Sequence, residues 1–254
     1  MPAIVVDRLW DGFRPKSRMG WRSHDLRWAL RDISFTVEPG EMLGVVGHNG
    51  SGKSTLLLCL SGVYEPQRGS ITVARPVSSL VELSAGLSRE LTGRENILIA
   101  SSLIGMTRAE LADRYEDIVA FAGLDPEVLD APMRTYSAGM GLRLGFSVSV
   151  HVEPKVLLVD EVLAVGDEAF QRSCLEHVAK LRAGGTAVVL VSHDLTMIER
   201  HCDHVAVLER GELCHLGDPA GTVERYRTSM RSATEGHRGA LWRDPTRRAR
   251  RRRR

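Results

Sequence analysis

Cysteine is scarce in this chain: four occur in 254 residues (Cys59, Cys174, Cys202 and Cys214), far apart and never in C-x-x-C spacing. That spacing excludes the usual thiolate zinc and dithiol redox sites, so reduced structural thiols are expected. Long apolar runs are missing as well, and none approaches the roughly 20 residues a membrane span requires. The start Met1-Pro2-Ala3-Ile4-Val5-Val6-Asp7 lacks the basic segment and long apolar core of a signal peptide, which places the chain in the cytosol as an expectation. Aromatic residues make up only 5%. No internal repeat is present, so a site that needs two copies of one motif must draw on a second chain.

What is present is a globular composition. With 43% apolar residues, the chain can bury a full core in one domain of ordinary to large size, with room for a subdomain. The formal net charge of +2 hides an asymmetry, because seven of the last eight residues (Arg247, Arg248 and Arg250 to Arg254) are arginine. Without those seven charges the body carries −5. Ser232, Thr234, Gly236 and Gly239 before them read as linker. A solvated tail is the first expectation, contact of Arg247 to Arg254 with anionic lipid the second, and nucleic-acid binding the third, with no specific nucleic acid expected.

The most informative stretch is Gly47-His48-Asn49-Gly50-Ser51-Gly52-Lys53-Ser54-Thr55, between the apolar run Met42 to Val46 and a helix-compatible run from Leu56. It has the phosphate-loop pattern G-x-x-x-x-G-K-[ST], which wraps the triphosphate of a nucleotide such as ATP. Its glycines let the backbone aim successive N–H groups at phosphate oxygens, at the positive end of the following helix. Lys53 is placed to reach the β- and γ-phosphates, and Ser54 to ligate Mg²⁺.

Strand patterns run from Ile4 to Leu9, from Ile33 to Val37 and from Gly69 to Val73, suggesting an antiparallel flank, while Lys16 to Asp25 reads as a loop. Trp28 stands just before the phosphate-loop unit, where it can stack on a purine or pack in the core. From Leu91 to Met140 the period becomes helical, with Thr92-Gly93-Arg94-Glu95-Asn96 as a helix start and Thr107-Arg108-Ala109-Glu110 as a capping box. The apolar strand Val156 to Val159 then ends in Asp160 and Glu161, where phosphate-loop folds place chemistry. Asp160 is placed to orient the Mg²⁺ shell and Glu161 to polarise an attacking water. A last buried strand, Ala187 to Val191, ends in Ser192-His193-Asp194, and His193 is placed to bond the γ-phosphate.

The ordered set of Gly47 to Thr55, Tyr136 to Met140, Val156 to Glu161, Val165-Gly166-Asp167 and His193 resembles the ATP-binding subunit of an ABC transporter. These stretches correspond to its Walker A loop, signature, Walker B, D-loop and switch histidine. The resemblance covers about Ile4 to Tyr226, and five motifs in order make it specific. It implies an α/β phosphate-loop ATPase domain over 1–228, with a mixed sheet, an antiparallel β flank and a helical subdomain at about 87–150, then a polar, arginine-rich tail over 229–254. It implies ATP and Mg²⁺ as cofactors and a head-to-tail homodimer in the ATP-bound state. Ser137, Ala138, Gly139 and Met140 of one chain would then meet ATP on the other, with Ser137 and Gly139 at its γ-phosphate. Asp167 belongs to the D-loop. A membrane-spanning permease is the implied partner, at the cytoplasmic face of the membrane.

A narrower resemblance lies in Leu91 to Asn96, Tyr136 to Met140 and Glu161 to Gln171. These are similar to ATPase subunits that export lipid-linked polysaccharides such as O-antigen, teichoic acid and cell-wall galactan. The signature has Tyr136, Ala138 and Met140 where most ABC families have Leu, Gly and Gln. Glu82, in Ser79-Leu80-Val81-Glu82-Leu83, stands where a glutamine near the magnesium is usual. A carboxylate there only accepts hydrogen bonds and adds charge beside Mg²⁺, so a direct metal contact by Glu82 stays open. An ATPase for another substrate and a soluble, non-transport ABC ATPase are the alternatives.

Overall fold

The computed structural model describes residues 1–13, 26–80, 87–160 and 167–234. In chain order its elements are β1 (Ile4–Phe13), β2 (Arg27–Val37), β3 (Met42–Val46), α1 (Lys53–Ser61), β4 (Arg68–Val73), β5 (Val77–Ser79), α2 (Gly93–Leu103), α3 (Arg108–Ala122), α4 (Pro126–Asp130), a 3-10 turn (Met133–Thr135) and α5 (Ala138–His151). They continue with β6 (Val156–Asp160), α6 (Glu168–Ala183), β7 (Ala187–Val191), α7 (Leu195–His201), β8 (His204–Glu209), β9 (Glu212–Gly217) and α8 (Pro219–Thr234). The described residues divide into two units, each held by its own core.

The first unit comprises 1–4, 36–41, 72–80, 87–160 and 167–190. Its strands lie in the order β5-β6-β7, with β5 parallel to β6 and Ser79 opposite Leu158. Val156 to Val159 are all buried, as a parallel strand covered on both faces should be. The helical part closes around Ile97, Ile118, Leu129, Leu144 and Val148. Its helices start where side chains can satisfy the orphan N–H groups of a first turn. Thr92 and Thr107 each form a complete capping box, with Glu95 and Glu110 respectively. Hydrogen bonds from those threonines hold both carboxyls below the usual glutamate range. Replacing either threonine by alanine costs about 1 kcal/mol.

The second unit comprises 5–13, 26–35, 42–71 and 191–234. It holds an antiparallel sheet in the order β2-β1-β4 and the strands β3-β8-β9. β3 runs parallel to β8, with Val45 opposite Ala206, and β8 antiparallel to β9. β1 extends to Phe13, past Leu9 where the alternation in the sequence fades. The physical cause is a left-handed step at Arg8, φ +46°, which leaves Asp7 and Arg8 both exposed and shifts the phase so that Leu9 and Asp11 are buried. Gly69 backs onto the carbonyls of Asp7 and Arg8 there, where a Cβ has no room.

α8 runs to Thr234, and its buried Val223 and Tyr226 anchor it against β8 and β9. The segment Lys16 to Asp25 lies outside the described residues.

Inside the first unit, His151 of α5 and His177 of α6 face each other with ring centroids 4.8 Å apart, and Phe121 of α3 meets both edge-on. Burial pushes both imidazoles below the ordinary 6.5, against the opposing pull of nearby Asp117 and Glu153 on His151. Arg114 of α3 and Lys180 of α6 add to the depression. Protons therefore bind these groups more weakly in the folded than in the unfolded chain, and stability falls as pH drops below about 6.5. Thermal melts at about pH 7.5 and 5.5 should show a lower Tm at the acid value, and His177→Gln should shrink that difference; an equal acid loss in the variant would clear the pair of this role.

Candidate functional site

The phosphate-loop segment leaves the fully buried β3 and turns at once. Gly47 sits against the Leu208 carbonyl and the Ser51 hydroxyl, where no side chain fits, and Gly50 and Gly52 take φ of +76° and +110°. A Cβ on Gly52 would lie 2.6 Å from the Ala29 carbonyl of β2. The Ser51 N–H donates to the His48 carbonyl at 3.0 Å, closing the loop, and the Leu56 N–H donates to the Gly52 carbonyl at 2.9 Å, opening α1. A second support comes from the β8–β9 turn, where the Gly211 N–H donates to the Ser51 carbonyl at 2.9 Å and the Gly211 carbonyl accepts from Arg31 at 2.6 Å.

Lys53 is only 6% exposed, and its ammonium donates to the carbonyls of Gly47 at 2.7 Å and His48 at 3.2 Å. The charge thus lies within the curl of its own loop. The Ser51 hydroxyl is buried without a hydrogen-bond partner, while the Ser54 side chain is exposed. A buried cation, an orphaned hydroxyl and a free hard-oxygen donor at a helix start form a fitting cradle for a triphosphate and its metal. His48 and Asn49 are exposed, Thr55 is half-buried, and the His48 ring lies 6.0 Å from that of Tyr226 in α8.

His193 belongs to this same unit. The strand-to-helix turn around it is fixed by neighbours: the Asp194 N–H donates to Ser192 Oγ at 3.0 Å, and Asp194 Oδ1 accepts from Thr196 and Met197 at 2.9 and 3.1 Å. His193 is left exposed at the tip of β7.

The first unit carries the other candidates. Asp160, half-buried, ends β6. Ser137 is the N-cap of α5, its Oγ accepting from Met140 N–H at 3.2 Å. Ala138, Gly139 and Met140 form the first turn after it, and a cleft of about 370 Å³ is lined by Ser137, Gly139, Met140 and Arg143. Asp167 caps α6 by accepting from Phe170 N–H at 2.9 Å and is ion-paired with Arg143. That backbone N–H, and then the guanidinium, hold its carboxyl below the usual aspartate range. The Arg143 guanidinium also lies 5.0 Å above the Phe170 ring. Separately, α2 and α3 bound a groove of about 620 Å³ on which Leu98, Ile99 and Leu103 are exposed. Glu82, Glu161, Val165, Gly166 and Arg247 to Arg254 lie outside the described residues.

Trp28 is half-buried in β2, one residue before the Ala29 that backs Gly52. Its ring meets Trp10 edge-on at 5.3 Å, and the Arg68 guanidinium sits 5.3 Å over it. One stacking face is therefore already covered. Phe13 is 57% exposed at the end of β1.

A loop of left-handed glycines curled over a buried ammonium at the start of a helix defines a phosphate-loop nucleotide-binding protein. The family model described as ABC transporter matches residues 30–164. Among curated proteins, the chain is similar to the O-antigen export system ATP-binding protein RfbB of Myxococcus xanthus, 39% identical over 91% of this chain and 56% of that protein. The protein of the same description from Klebsiella pneumoniae is 44% identical over 80% of this chain and 82% of its own length. A solved structure described as the ATP binding subunit of an ABC transporter superposes with a TM-score of 0.73 at 26% identity, covering 94% of this chain and 95% of that one. The chain belongs to the ABC transporter family, and ATP is its nucleotide.

Trp28 can serve as a purine platform while it packs against Trp10 and Arg68. In titrations with a fluorescent ATP analogue, Trp28→Ala should weaken binding by about 1–2 kcal/mol, roughly five- to thirtyfold in Kd, and Trp28→Tyr should keep it. Unchanged affinity in the alanine variant, with a lower Tm, would return Trp28 to a packing role.

Proposed function

We propose that the chain is the ATP-hydrolysing subunit of an exporter of lipid-linked polysaccharide, of the O-antigen type, acting as a homodimer beneath a membrane-spanning permease. The observation that carries this reading is the similarity to O-antigen export ATP-binding proteins over 91% and 80% of the chain, joined to a phosphate loop with its ammonium in place. The chain spans 56% of the length of the Myxococcus xanthus relative. No helix among the described residues is long and apolar enough to cross a membrane. The exposed apolar side chains of α2 are the natural surface for such a partner on the first unit.

The roles follow from chemistry. Lys53 neutralises the β- and γ-phosphates, and the backbone N–H groups of the loop outside its closing Ser51–His48 bond cradle them. Ser54 and Asp160 are hard oxygen donors suited to Mg²⁺, which when bound neutralises phosphate charge. Glu161 acts as the base that polarises water, and His193 bonds the γ-phosphate. One phosphate loop and one Ser137 signature per chain support a site completed by a second copy, with Ser137 and Gly139 capping the partner's ATP at a helix start.

Removing the Lys53 ammonium takes away a charge-assisted contact, whereas Glu161→Gln keeps shape and loses the base. Lys53→Ala should bind ATP poorly. Glu161→Gln should bind ATP, release phosphate slowly and elute as a dimer in ATP. In cells, the Glu161→Gln chain should strand lipid-linked glycan inside; normal surface glycan together with abolished ATP turnover would assign another substrate.

The arginine tail is proposed to add avidity for the anionic inner leaflet, at up to about 1 kcal/mol per basic residue near the surface, weakened by salt. Deleting Arg247 to Arg254 should leave ATP hydrolysis unchanged and lower retention on anionic liposomes at low salt. Equal retention, or much tighter binding of the tail to RNA, would sink the lipid assignment.

A further inference from the structure

We infer that Tyr136 and Gly93 form a lock that holds Ser137 in place, which makes Tyr136 a positioning residue for the phosphate contact assigned above to Ser137. The inference rests on that assignment. Tyr136 precedes Ser137 directly, and its hydroxyl donates to the Val128 carbonyl of α4 at 2.6 Å. The same phenolic oxygen lies against Gly93, the first residue of α2. One side chain thus bonds a carbonyl of α4 and packs against the start of α2. Burial pushes the phenol's pKa up, so the hydroxyl keeps the proton it donates.

Gly93 is required here for room. Its φ is not left-handed, yet a Cβ would run into the Tyr136 hydroxyl, and Leu129 closes the other side at 3.1 Å. Around this contact the two segments are stitched together. The Met133 N–H donates to the Leu91 carbonyl at 2.8 Å and the Arg134 N–H to the Arg89 carbonyl at 2.8 Å. Thr92 and Pro132 form a bridge. Fully buried Asn96 accepts from the Ser88 N–H at 2.7 Å and donates back to the Ser88 and Thr92 carbonyls, each at 2.9 Å. The Tyr136 N–H closes the 3-10 turn on the Met133 carbonyl at 3.0 Å. Ser137 is the next residue, exposed and capping α5, so its position is inherited from this block.

The test is a cycle of Gly93→Ala, Tyr136→Phe and both together in the full chain, read as ATP affinity, turnover at saturating ATP and Tm. Tyr136→Phe should keep ATP affinity within about twofold and lower turnover about threefold or more, a split that a purely structural role would not produce. Gly93→Ala should lose more, about tenfold in turnover with a lower Tm. In the Tyr136→Phe background the added methyl takes the space of the missing hydroxyl, so Gly93→Ala should cost about twofold or less there. Full turnover in Tyr136→Phe, or equal losses from Gly93→Ala in both backgrounds, overturns the lock. Should Gly93→Ala alone fail to fold, its rescue by Tyr136→Phe supports the lock and continued failure overturns it. A wild-type chain with no ATP turnover overturns the ATPase reading instead, and the Tm cycle still decides the contact: shared losses support it, additive losses overturn it.

Discussion

A cation buried in a protein costs several kcal/mol unless its donors are taken, and Lys53 meets that demand inside the loop that carries it. The carbonyls of Gly47 and His48 reach the ammonium because the backbone curls back on itself, and the curl depends on glycines at 47, 50 and 52. The rest of the second unit is arranged to keep that curl. β2 presses Ala29 against Gly52, and the β8–β9 turn joins Ser51 to Arg31 through both polar groups of Gly211. A loop braced on two sides stays close to its binding shape, so less ordering is needed when an anion arrives.

Helix starts do comparable work in the first unit. Thr92, Thr107, Ser137 and Asp167 each cap a helix with a side-chain oxygen, and two of these caps are among the proposed site residues. Ser137 accepts from Met140, which leaves its own O–H for the phosphate contact proposed above. Asp167 is held twice, by the α6 N-terminus and by Arg143, whose guanidinium also covers Phe170. α5 and the start of α6 are therefore tied by a charge pair backed by an aromatic ring.

Much of the fold could be read along the chain. The strands at Met42–Val46, Val156–Asp160 and Ala187–Val191, the helix start at Thr92 and the capping box at Thr107 formed where the pattern put them. Each is written by residues within a few positions of one another. β8, β9 and α8 went unread, and so did the reach of β1 to Phe13. β9 is only partly buried along its length, and the left-handed step at Arg8 breaks the alternation of β1, so neither shows a clean period.

By itself, the sequence determined the phosphate loop, the order of the motifs and the family they resemble, because phosphate chemistry needs particular residues at short, fixed spacings. Only the tertiary structure decided what packs on Trp28, what braces Ser51, and why Gly93 has no side chain. Trp28 is covered by Trp10 and Arg68, Gly211 reaches the loop from the far β-turn, and the hydroxyl of Tyr136 occupies the space where a Cβ on Gly93 would stand. These contacts join residues distant in the chain, and no local spacing encodes which of them will meet.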